Sequence, residues 1–126
     1  MHDAPVSDHM TMTEVLLVLA TLPDRASADA LAARLIEQHL AACVNILAPC
    51  ESVYRWQGAI ETASEIPLLI KTTRARYPAL EAAVRAMHPY ETPELIALPV
   101  TCGLPAYLDW VAASVTMPNP RPPAIA

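Results

Sequence analysis

Glycine is nearly missing from this sequence: two occur in 126 residues, and neither belongs to a Gly-rich loop of the kind that cradles phosphates. A nucleotide would have to rely on helix ends and scattered cations. Cysteine is scarce too. Cys43, Cys50 and Cys102 are an odd number with no Cys-x-x-Cys pair, so neither a disulfide framework nor a zinc ribbon is written here, and the thiols read as reduced and partly buried. Only eight Lys and Arg are present against thirteen Asp and Glu, a net charge of -5. They are spread along the chain and leave no basic stripe to neutralise nucleic-acid phosphates. No apolar run approaches the ~20 residues of a membrane span. The opening Met1-His2-Asp3 lacks the charged and apolar regions of a signal peptide. The expectation is a cytoplasmic protein with neither nucleic acid nor membrane as partner.

Apolar side chains are abundant, at 54% against 17% charged. For a chain this small, with so much surface per residue, part of that apolar area is expected to meet another subunit. The length suits one domain. Residues 1–13 show no periodicity, and residues 116–126 are proline-rich, so the domain is placed at 14–115 between two extended tails.

Within it, Val15 to Ala20 reads as a buried strand. Asp24 or Ser27 is positioned to cap a helix whose stripe is Ala28, Leu31, Ala32, Leu35 and Ile36. Val44, Ile46, Ala48, Tyr54 and Trp56 fall on even positions, which predicts one long strand with these residues on a shared face. Gln57-Gly58 turns the chain into a second long strand carrying Ile60, Ile66, Leu68 and Ile70. Pro49 and Pro67 cannot donate to a ladder and mark a bulge, bend or edge in that hairpin. Tyr77, Leu80, Val84 and Met87 form a second helical stripe that Pro89 ends at His88. A fourth strand spans Leu95 to Thr101, and Tyr107, Leu108, Val111 and Ala112 form a short last helix. The fold class is α+β: a ferredoxin-like β-α-β-β-α-β sandwich with a long hairpin and a short C-terminal helix.

The densest chemistry is His88-Pro89-Tyr90-Glu91-Thr92-Pro93-Glu94, where two prolines stiffen a loop carrying an imidazole, a phenol and carboxylates. His88 reads either as a metal ligand or proton carrier, or as a helix cap at the negative end of the dipole. Cys43, Trp56, Glu65, Lys71, His88, Tyr90 and Glu94 could line a cleft between subunits, with Lys71 paired to Glu65 or Glu94 at the hairpin base or facing a bound anion. Tyr54 and Trp56 suit a subunit interface or a stacked ligand. His2, Asp3 and His9 could chelate stray copper. No nucleophile with an adjacent base, paired carboxylates or metal-hydrolase spacing is present, so an enzyme is not expected.

The loop motif, together with Leu40-Ala41-Ala42-Cys43-Val44-Asn45, Tyr54-Arg55-Trp56-Gln57-Gly58 and Ile70-Lys71-Thr72-Thr73, resembles the CutA divalent-cation tolerance family, from about Val15 to Val111. The resemblance implies a homotrimer knitted by the long hairpins, a role in copper tolerance, and a divalent copper ion as ligand. The implied copper ligands fall here at Ala20, Met87 and His88, of which only His88 keeps the family's residue type. Met87 also belongs to the stripe of the second helix, which favours packing. A small anionic ligand in the intersubunit cleft, as in the PII-like regulatory trimers of similar fold, is a second expectation, and a purely structural trimer a third.

Overall fold

The computed structural model describes residues 14–116; the tail expectations, and with them His2, Asp3 and His9, lie outside the described residues. The chain runs through β1 (Val15–Leu22), α1 (Arg25–Glu37), β2 (Cys43–Ile46), β3 (Cys50–Trp56), β4 (Ala59–Thr73), α2 (Tyr77–Met87), β5 (Leu95–Pro99) and α3 (Pro105–Val115). The sheet is antiparallel with order β2-β4-β1-β5, and β3 extends β4 beyond it. With β2 and β3 counted as one interrupted strand, this is the expected ferredoxin-like arrangement.

Alternation along β1 and β4 decides where the core sits. Leu16, Val18, Ala20 and Leu22 of β1 are buried with Ile66, Leu68 and Ile70 of β4, against Ala28, Leu31 and Leu35 of α1 and Leu80 and Val84 of α2. Each fully buried Leu, Ile or Val contributes about 1.5–3 kcal/mol of transfer free energy. Asp24, extended, caps α1 by accepting the Ser27 N–H at 2.8 Å. The helix ends through His39 at φ 58°, in the left-handed region, and Arg76 donates to the His39 carbonyl at 3.2 Å. Gln57 and Gly58 both have positive φ, as a two-residue hairpin turn requires. The last helix is longer than its apolar stripe predicts. It packs on β4 and β1, and its buried Val111 and Val115 lie outside the core cluster.

One expectation fails instructively. The even-numbered residues from Val44 to Trp56 do not share a face, because the strand is broken. Ile46 pairs with Leu68 but Cys50 with Glu65, so three residues on one strand oppose two on the other, a one-residue bulge. Both prolines fall at this break: Pro49 is among the three surplus-strand residues 47–49, and Pro67 opposite lacks the N–H that would return a bond across the ladder. Past the bulge Tyr54 lies opposite Glu61 and Trp56 opposite Ala59, on the side of β4 that carries Glu65 and Lys71. The fourth strand is also shorter than expected, ending at Pro99.

Candidate functional site

The loop after α2 is anchored by its histidine. Pro89 forces His88 out of helical geometry, and at φ -75°, ψ 135° it caps the helix with its own N–H on the Val84 carbonyl. Its ring is buried, 7% exposed. Nε2 lies 2.6 Å from the Thr21 carbonyl, and Nδ1 receives the Tyr90 N–H at 3.1 Å. The rings of His88 and Tyr90 sit 4.9 Å apart, tilted by 52°.

Tyr90 is thereby aimed at Glu65. Burial, then the nearby Glu65 carboxylate, then Tyr54, push its phenol above the ordinary tyrosine value, and a hydrogen bond to Glu65 adds to the shift. Glu65, 8% exposed at the bulge, also accepts from Ser52 Oγ at 2.6 Å. Glu94 accepts from Thr21 Oγ1 at 3.5 Å. Glu65, His88, Tyr90 and Glu94 therefore gather in one place with Thr21, Ser52 and Tyr54. Reasoning from sequence missed Ser52 and Thr21. Ser52 shares the face of Glu65 only because of the register slip, and Thr21 acts through a backbone carbonyl that has no signature in sequence.

The other cleft residues stand apart. Lys71 Nζ donates to Asn45 Oδ1, and at 3.7 Å to Cys43 Sγ; Cys43 is its cross-strand partner. Tyr107 of α3 approaches them, its phenol pushed up by burial first and Cys43 second. The expected pairing of Lys71 with Glu65 or Glu94 is not formed within the chain. Lys71 and Glu65 lie six residues apart on one face of β4, roughly 20 Å at ~3.3 Å per residue. Asn45 was legible in principle, two positions after Cys43 and hence on its face. Trp56 sits at the hairpin tip, 58% exposed, away from both clusters. A groove of about 480 Å³ lies elsewhere, lined by Leu16, Tyr77, Leu95 and Pro99 among others, and contains none of the candidate residues.

The donor set implied for copper does not fit. Ala20 is a core methyl with no donor atom. Met87 packs against the core cluster. The His88 ring nitrogens are both engaged with backbone groups. Among the described residues, no group of three or more His, Cys, Asp or Glu is placed to hold a metal.

Comparison with known proteins agrees with this architecture. The profile of the family described as CutA1 divalent ion tolerance protein matches residues 16–114. The divalent-cation tolerance protein CutA of Thermus thermophilus is 46% identical over 100 residues, covering 79% of this chain and 95% of the relative. Its counterpart in Citrobacter koseri is 41% identical over 109 residues, covering 86% and 95%. The crystal structure of CutA from Xylella fastidiosa superposes with a TM-score of 0.80 at 45% identity, over 82% of this chain and 99% of that one. With the profile spanning nearly all the described residues and the same fold in a relative of this identity, the chain belongs to the CutA1 divalent ion tolerance family.

Proposed function

We propose that the protein is a homotrimer acting in divalent-cation tolerance, and that its working site is a cleft between subunits that takes a small polar or anionic ligand and performs no catalysis. The carrying observation is the separation within one chain. Lys71, Asn45 and Cys43 offer a cation, an amide and a thiol at one end of a β4 face. Glu65, Ser52 and Tyr90 offer acceptors and hydroxyls at the other. Roughly 20 Å divides them, so a site using both halves needs two copies. Apolar exposure supports association: Trp56, Ile60, Ile96, Leu98 and Trp110 are all about half exposed or more, large apolar side chains that a second subunit would cover.

The anion is assigned to the Lys71 end, because that end carries the ammonium, with the Asn45 amide beside it. Light scattering tests the assembly: the expected mass is three times the 13.6 kDa chain, and a monomer at micromolar concentration overturns the reading. Calorimetry with inorganic phosphate and citrate, in parallel with copper and zinc salts, tests the ligand class. Saturable uptake of an anion abolished in Lys71→Met supports it, and saturable uptake of metal alone contradicts it.

A further inference from the structure

We infer that His88 is a latch for the loop after α2, a positioning residue fixed as one neutral tautomer, and that it is not a copper ligand in this chain. The argument starts from the bonds. A backbone amide only donates, so the Tyr90 N–H at 3.1 Å from Nδ1 makes Nδ1 the acceptor, the unprotonated nitrogen. Nε2 therefore carries the hydrogen and donates it to the Thr21 carbonyl at 2.6 Å. A neutral imidazole has a single in-plane lone pair, and here the Tyr90 amide occupies it. Metal coordination requires that lone pair.

The Thr21 carbonyl explains why the donor is needed. The β1–β5 ladder pairs Leu16 through Ala20, and Val15 accepts from Val100 at 3.0 Å, so odd residues of β1 direct their backbone groups toward β5. Thr21 lies one residue past the last pair. The imidazole takes the place of the next strand donor and satisfies a buried carbonyl. One ring thus joins the end of α2 to the end of β1 and holds the backbone of Tyr90, whose phenol meets Glu65. Substituting copper at Nδ1 would orphan the Tyr90 amide, with Ala20 and Met87 supplying nothing in return.

The latch concerns residues of the proposed cleft but not its occupant, so ligand binding can fail while the latch holds. The test uses the full chain with His2→Ala and His9→Ala, which removes the two histidines outside the described residues. Ring-nitrogen NMR on this protein reads the tautomer directly, with no change at position 88. Nε2–H at His88, with ring signals undisturbed by substoichiometric copper(II), is the expected result. An Nδ1–H tautomer, or selective broadening at His88, overturns the inference. Two variants then separate the ring's bonds. His88→Asn keeps an acceptor at the Nδ1 position and retains slow exchange of the Tyr90 amide. His88→Gln keeps only the Nε2-position donor, and that exchange accelerates by about tenfold or more. Equal exchange in the two variants overturns the positioning role, and copper uptake present before but lost in His88→Gln overturns the rejection of copper.

Discussion

Leu47 donates its N–H to the Pro67 carbonyl at 3.0 Å, and Pro67, having no N–H, returns nothing. This one-sided rung lies at the bulge, between the Ile46–Leu68 and Cys50–Glu65 pairs. Half of a β-ladder pair is missing there, and the chain takes up its surplus residue at the weakest point.

Pro67→Ala restores the missing donor. The gain of about 0.5–1.5 kcal/mol from the new hydrogen bond is offset by about 0.4–1 kcal/mol of added unfolded-chain entropy. Urea unfolding should therefore move by less than about 1 kcal/mol, while the amide newly present at position 67 becomes protected from exchange. Rapid exchange of that amide would show that proline is not what breaks the rung.

Helices, strands and core face were legible because each follows from periodicity: the α1 stripe and the even residues of β1 and β4 land where period 3.6 and period 2 place them. Parity fails only across residues 47–49. A bulge flips every side chain beyond it, so plain alternation puts Tyr54 and Trp56 on the face of Val44 and Ile46 when they share that of Glu65. For His88 the sequence leaves capping and ligation both open. Its ring instead meets the carbonyl of Thr21, 67 residues away in the chain, a tertiary contact that no local pattern announces.

Ser52→Ala removes the 2.6 Å donor to a buried carboxylate. Leaving Glu65 short of a partner should cost about 1–3 kcal/mol, seen as a lower urea midpoint. The double variant with Glu65→Leu should recover most of the loss, since it removes the charge together with its need. No recovery would mean the pair is held by other contacts.

Alkaline pH should loosen the fold. Burial is the first cause that raises the phenols of Tyr77, Tyr90 and Tyr107 above their ordinary value of 10.0. A raised folded value means that the neutral form is favoured by folding. Its contribution is complete below about pH 10 and is lost as pH rises through the folded values, where the unfolded chain already ionises. In Glu65→Gln, the Tyr90 phenol should titrate at lower pH than in the parent, read by phenolate absorbance, but stay above 10 because burial remains.

Acid acts through the cap of α1. The Ser27 N–H, then the Ser27 hydroxyl, hold the Asp24 carboxyl below its ordinary 3.8. A depressed folded value contributes stability that is present above the unfolded value and is lost as pH falls through the folded one. Asp24→Ala should therefore lower the melting temperature by a few degrees at neutral pH, and the gap to the parent should narrow as pH drops below about 4. A constant gap would point to lost helix packing and not to the charged cap.

Lys71→Met separates assembly from binding. The methionine keeps the apolar stem beside Cys43 but removes the ammonium that reaches Asn45 and Cys43. Its position inside the β4 ladder leaves the backbone pairing with Cys43 untouched. Mass by light scattering should therefore stay that of the parent, while affinity for phosphate or citrate falls by about tenfold or more, which corresponds to ~1.4 kcal/mol. If affinity holds, the anion is recognised elsewhere and the two halves of the β4 face do not form one site. If the assembly falls apart instead, Lys71 is an interface residue whose cation serves association.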